Sequence, residues 1–212
     1  MALTSITGSL ASTELLEALA APGGATGSLR ALLAGARKVL GPASSARQVL
    51  DVQVLPLAHA VGLDATVTST GAGAVFGVIH SQGRNLASLS VANWGGDLRR
   101  LRDHAAKKIM PGSPRGWFGA NGRLIRIMDG SRAYARRSID IDLERLEEDD
   151  RGVRAVERLL EPADPPALAT LEALLAESER HSSAVGRSLQ VGVDDALGRL
   201  IDGFSRGRRK AR

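Results

Sequence analysis

Asp140 and Asp142 stand two residues apart in Ser138-Ile139-Asp140-Ile141-Asp142. In a strand this spacing puts both carboxylates on one face and both isoleucines on the other. Two carboxylates so placed could ligate a hard divalent cation through oxygen. The same pattern also describes a half-exposed strand, and the flanking isoleucines favour that simpler reading. A second candidate is Gly71-Ala72-Gly73, which follows a β-branched run and could imitate a phosphate-binding glycine loop. Such a loop must open a helix whose first amides hold the anion. Ala74-Val75-Phe76-Gly77-Val78-Ile79 reads as a strand, so a hairpin turn is expected instead.

The third kind of chemistry is electrostatic. Arg99, Arg100, Arg102, Lys107, Lys108, Arg115, Arg123, Arg126, Arg132, Arg136 and Arg137 fall in one central stretch, and acids concentrate from Asp140 to Glu161. The set Arg99, Arg100, Lys107, Lys108, Arg123, Arg126, Arg132, Arg136 and Arg137 could line a DNA phosphate track; a solvated face is the competing reading. Arg206, Arg208, Arg209, Lys210 and Arg212 end the chain without an acid. Removing these five of the 28 basic residues leaves 23 against 23 acids, so the net charge of +5 belongs to the tail. Arg208 and Arg209 are further candidates for nonspecific nucleic-acid contact, in a tail expected to be disordered. With no cysteine, disulfides and thiolate metal sites are excluded. His59, His80, His104 and His181 lack metal-ligand spacing, and no metal site is expected beyond the Asp140–Asp142 pair. There is no signal peptide and no membrane-length apolar run, so a cytoplasmic chain without membrane partners is expected.

The elements that must position these residues follow from periodicity. Ser12 reads as the cap of a helix carrying Leu15, Leu16 and Leu19. Ser28 starts a second helix, and Ser44 or Ser45 caps a third, which Pro56 should kink or restart before Gly62. Ala65–Thr70, Ala74–His80 and Leu86–Ala92 read as three strands, and a basic helix begins after Asp97. Asn121-Gly122 then joins two apolar runs, the strongest short hairpin signal, and a type I′ turn needs positive φ at both residues. In the second run Leu124, Arg126 and Met128 share one face, and Ile125 and Ile127 the other. Tyr134–Asp142 reads as the last strand. Leu143–Leu160 is charged helix in one or two pieces, and Ala167–Phe204 forms a helical arm.

The order of helices, β-β-β-α-β-β-β and helices implies an α/β (α+β) fold. It resembles the nuclease-type fold of restriction enzymes. Particular words sharpen this: Asn121-Gly122-Arg123, the strand ending in Asp129, Arg132-Ala133-Tyr134-Ala135-Arg136-Arg137-Ser138-Ile139-Asp140-Ile141-Asp142, Val91-Ala92-Asn93-Trp94-Gly95, and Leu55-Pro56-Leu57 with Gly62. Ser178, Val185, Leu189, Gly192-Val193 and Ala196-Leu197 add a helical spacer. Together they resemble the N-terminal region of type IIG-like restriction-modification proteins, over about residues 10–204. Such proteins join a nuclease-type domain to an adenine-N6 DNA methyltransferase, and are several times longer than this chain.

The resemblance implies a restriction-nuclease-like mixed sheet flanked by helices, with a C-terminal helical arm. Its divisions would be N-terminal helices at 1–62, a sheet core at 63–148, a helical spacer at 149–205 and the basic tail at 206–212. It also implies DNA and a methyltransferase domain or subunit as partners. S-adenosylmethionine and Mg would belong to the parent family, with no cofactor in this chain. Nuclease chemistry needs an acid on one strand and acid-x-Lys on the next. The residues two before Lys38, Lys107, Lys108 and Lys210 are Ala36, Ala105, Ala106 and Arg208, and the candidate strands Ala74–His80 and Leu86–Ala92 carry no acid. Asp164-Pro165-Pro166 resembles the start of the Asp/Asn-Pro-Pro-aromatic motif of amino-methyltransferases, but Ala167 cannot stack on a flipped base. The expectation is therefore a DNA-associated module without catalytic residues of its own. The alternatives are the N-terminal fragment of an active enzyme, or a protein-interaction scaffold docking through its helical arm.

Overall fold

The computed structural model describes residues 3–22, 27–71, 73–106, 114–130, 137–161 and 173–176, with 180, 187, 189–190, 192–197 and 199 beyond them. The chain divides into two compact units, Met1–Leu175 and Ala176–Arg212. In the second, the described residues are helical. The first takes in the helix at 150–160 that the sequence reading groups with the C-terminal arm.

The first unit is built on a mixed sheet of seven strands in the order β1-β7-β6-β5-β4-β3-β2. The strands are β1 (Ile6–Gly8), β2 (Asp64–Gly71), β3 (Ala74–Ser81), β4 (Arg84–Ala92), β5 (Gly116–Ala120), β6 (Leu124–Asp129) and β7 (Ser138–Asp142). Every neighbouring pair is antiparallel except β4 and β5. A parallel pair needs a crossover, and α5 (Leu98–Ala106) lies in that connection. The element order read from the sequence thus stands, with β1 added at one edge. β1 is three residues long and gains its strand character from pairing with β7, far away in sequence.

Alternation decides what each face carries. Val75, Ile79, Leu89, Val91, Phe118, Ile127, Ile139 and Ile141 point to one side, where they share a core with the helices. Those helices are α1 (Thr13–Leu19), α2 (Gly27–Val39), α3 (Ala46–Val49), α4 (Leu55–Ala60) and α7 (Asp150–Leu160); the short α6 is Leu143–Leu146. Ser12 caps α1 through the Leu15 amide, and Ser45 with Gln48 closes a capping box on α3. Arg154 and Arg158 of α7 donate to the carbonyls of Ala20 and Leu19, satisfying the end of α1.

Between α3 and α4 the helix widens into a π turn over Leu50–Val54, where the Leu55 amide reaches back five residues to the Leu50 carbonyl. Pro56 follows in the first turn of α4, where its missing amide costs least. The widened turn places buried Gln53 so that Nε2 donates to the Gly122 carbonyl at 3.1 Å. α4 ends in a Schellman motif, with the Gly62 amide on the His59 carbonyl and the Leu63 amide on Ala58.

The Asn121-Gly122 turn differs from its expected form. Only Gly122 has positive φ, at +83°, and the two-residue loop is Gly122-Arg123. Glycine at the first central position belongs to a type II′ arrangement. Asn121 is instead a buried hub. Its Oδ1 accepts the amides of Arg123 and Leu124, its Nδ2 donates to the Gly96 carbonyl, and its own carbonyl accepts the Gly95 amide. The two consecutive positive φ angles of a type I′ turn occur between β3 and β4, at Gln82 (+49°) and Gly83 (+77°).

Candidate anion-binding cleft

The second face of the sheet is only partly covered. Leu98 and Leu101 of α5 pack on Ala92, Trp117, Leu124 and Met128. The Trp117 indole N–H donates to Ser90 Oγ at 3.1 Å, so its buried polar edge is satisfied. Beside α5, over β6 and β7, a cleft of about 320 Å³ opens, lined by Arg99, Arg102, Asp103, Arg126, Met128 and Ser138.

Each lining residue owes its place to a simple periodicity. Arg99 and Arg102 are three apart on α5, so they share a helix face. Asp97 starts that helix by accepting the Arg99 amide at 2.8 Å. Arg126 and Met128 alternate on β6, and Ser138 is the register partner of Met128 on β7.

The cleft's charges are arranged in pairs. Arg126 faces its register partner Asp140 and grips it with two bonds, Nε to Oδ1 at 2.7 Å and Nη2 to Oδ2 at 2.5 Å. This is the bidentate fork that makes guanidinium–carboxylate contacts strong. Asp140's hydrogen bond raises the Arg126 pKa above its ordinary value; burial works against this, and the charges of Asp140 and Asp97 add to the rise. Arg102 holds Asp103 with two bonds, at 2.9 and 2.5 Å. Arg99 is exposed and has no acidic partner among the described residues.

The remaining sequence candidates are dispersed. Arg100 lies 3.7 Å from Asp97, and Arg123 pairs with Glu144 at 3.2 Å, outside the cleft lining. Arg137 directly precedes β7. Lys107, Lys108, Arg132, Arg136, Arg208 and Arg209 lie outside the described residues, as does Asp164-Pro165-Pro166. Asp140 and Asp142 do share one strand face, opposite Ile139 and Ile141, but have separate occupations. Asp140 is taken up by Arg126, while Asp142 Oδ1 accepts the amides of Glu144 and Arg145 and caps α6. Among the described residues no group of three histidines or carboxylates is placed to hold a metal ion.

Three lining residues, Asp103, Met128 and Ser138, went unmarked as site candidates in the sequence, and Arg102 stood only within the wider basic stretch. The three-residue spacing of Arg99 and Arg102 was a usable signal. The contributions of Ser138 and Met128 depend on strand register, which no local pattern announces. The charges can hold an anion: three arginines line one recess, and phosphate oxygens suit the planar guanidinium fork.

No helix among the described residues is long and apolar enough to cross a membrane. No family model matches the chain, and neither the curated proteins nor the solved structures contain a match to it.

Proposed function

We propose that this chain is a DNA-associated module of a restriction-modification protein, without catalytic residues of its own. The observation that carries the reading is that Arg99, Arg102 and Arg126 line one cleft. Phosphate contacts from arginine supply most nonspecific DNA affinity and make it salt-dependent. The helix–meander–helix–strand order around α4, β2–β4, α5 and β5 supports a restriction-nuclease-like arrangement. β3 and β4, where metal-binding acids would be needed, carry none. Chemistry, with S-adenosylmethionine and Mg, would belong to a methyltransferase domain or subunit acting with this chain in the cytoplasm.

The test is fluorescence anisotropy with duplex DNA over a salt series. Removing residues 205–212 should flatten the slope of log affinity against log salt by up to ~4–5, one counterion per lost contact. Arg99→Ala with Arg102→Ala should flatten it by a further ~1–2. The reading falls if the full chain has no measurable affinity for duplex DNA at low salt.

A second reading, a protein-interaction scaffold, is favoured by a different observation. Leu189, Val193 and Leu197 are spaced four apart, are each helical, and are 65%, 56% and 52% exposed. An apolar stripe of this spacing suits a groove on a partner. Salt-insensitive binding to a protein partner, lost on Val193→Asp, would favour it.

A further inference from the structure

We infer that the α5 cleft is a seat for a phosphoryl group, and that Asp140 occupies the position on Arg126 that the phosphoryl oxygens take when the seat is filled. The inference rests on reading the cleft as an anion site, and not on the anion being DNA.

Four observations carry it. First, the Arg126 fork is reachable: its side chain and that of Asp140 are 19% and 20% exposed, and Arg126 lines the open recess. A fully buried pair would be locked by the cost of breaking it. Second, the carboxylate meets the guanidinium edge with two parallel bonds. Two phosphoryl oxygens present the same geometry, so one can replace the other without moving the arginine. Third, Arg99 stands at the same recess with no acidic partner among the described residues, and can meet an arriving anion first. Fourth, the Arg102 fork is already spread against Asp103, which is itself 61% exposed and can swing to solvent when its arginine is engaged.

The pairing makes the seat conditional. Without Asp140, Arg126 would leave a guanidinium half-buried and uncompensated. With it, the arginine is held in a binding-ready rotamer, and an incoming phosphoryl group must displace a carboxylate. A monoanion should therefore compete poorly, whereas a multiply charged phosphate, able to reach Arg99 and Arg126 together, should compete well. The chemistry is shared by the backbone of a nucleic acid and by a free phosphorylated small molecule.

The experiment is calorimetric titration of the full chain with inorganic pyrophosphate, alongside anisotropy with a short DNA duplex. Asp140→Asn should tighten pyrophosphate binding ~5- to 10-fold, and Arg126→Gln should weaken it at least ~10-fold, as loss of one charge-assisted contact implies. Arg99→Gln, on an exposed position, should weaken it ~3-fold or more and serves if Arg126→Gln fails to fold. In the unsubstituted chain the NMR signal of the Arg126 Nε–H should shift on pyrophosphate addition, whether or not any variant folds. Binding of both probes with these variant effects supports the seat and a nucleic-acid source. Pyrophosphate binding without DNA binding supports the seat, assigns a free phosphorylated molecule and overturns the DNA reading. DNA binding without pyrophosphate binding overturns the seat and leaves the DNA reading standing. Pyrophosphate binding that Asp140→Asn leaves unchanged, with Arg126 Nε–H unmoved, overturns the exchange.

Discussion

The indole of Trp94 lies directly against Gly122, close enough that a Cβ at position 122 would overlap Cε3 and crowd Cζ3. Gly122 also needs its positive φ of +83°, so a side chain there faces two separate penalties. Strain at positive φ costs about 1–3 kcal/mol, and overpacking a filled space about as much. Gly122→Ala should therefore destabilise the fold by roughly 2–4 kcal/mol, read as a lower urea midpoint with unchanged slope. The terms separate in a double-mutant cycle: in a Trp94→Ala background the overlap part should vanish and the φ part persist. An unchanged midpoint for Gly122→Ala would show that neither contact matters.

Asn121 explains why this turn was only half legible. Asn-Gly between apolar runs located the hairpin, and the alternation of Leu124, Arg126 and Met128 against Ile125 and Ile127 gave the two faces of β6 as the structure has them. Local pattern could not show that Asn121 would spend its amide and carbonyl on Gly95 and Gly96, taking it out of the turn centre. Ser12 and Ser45 were readable as caps because capping is a matter of three residues. The β1–β7 pairing and the Arg126–Asp140 fork were not, because both depend on register between distant segments. The basic stretch likewise looks like one patch in sequence, and becomes several ion pairs once Glu144, Asp97, Asp103 and Asp140 are brought to it.

Asp149 should make stability fall in acid. Burial pushes its carboxyl up, but hydrogen bonds from the Gly152 amide, the Ser5 hydroxyl and amide and the Arg151 amide outweigh this and hold its pKa below the ordinary value. A depressed folded pKa contributes stability that is present above the unfolded value and lost as pH falls through the folded one. Asp149→Ala removes the cap of α7 and leaves the buried Ser5 hydroxyl without its partner at 2.8 Å. The expected cost near pH 7 is about 2–4 kcal/mol. Denaturation of both proteins at pH 7 and pH 2.5 should show the gap narrowing in acid; a gap independent of pH would refute the assignment.

Glu157, on the same helix, should act in the opposite sense. Burial raises its pKa, and the charge of Arg154 only partly counters this. A raised carboxyl pKa means the folded chain binds the proton more tightly than the unfolded chain. Stability from this group is therefore greatest in acid and declines as pH rises from the ordinary glutamate value through the folded pKa. Glu157→Gln should raise the melting temperature slightly at pH 7, and the advantage should shrink at pH 4. Equal melting temperatures at pH 7, or a lower one for the variant, would contradict the burial argument.

The last prediction concerns activity: the isolated chain should neither cleave nor methylate DNA. Metal-dependent cleavage needs carboxylates free to bind a cation and a base or lysine to position water. No lysine in the chain is preceded, two residues back, by an acid. The paired carboxylates of β7 are engaged, Asp140 by the Arg126 fork and Asp142 by two helix amides. Releasing either would leave a guanidinium or a helix start unsatisfied, a cost a passing Mg²⁺ must overcome. For methyl transfer the Pro165-Pro166 pair is followed by Ala167, which offers no ring for a flipped base. The chain following Gly71-Ala72-Gly73 enters β3, so that loop opens no helix for a donor's carboxylate or phosphate. The assay incubates purified protein with plasmid DNA and Mg²⁺ or Mn²⁺, and separately with labelled S-adenosylmethionine. Cleavage or methyl incorporation in proportion to protein would contradict the prediction. If cleavage appeared and Asp140→Ala with Asp142→Ala abolished it, β7 would be the metal-binding strand, and the Arg126–Asp140 pair a resting state displaced by the cation.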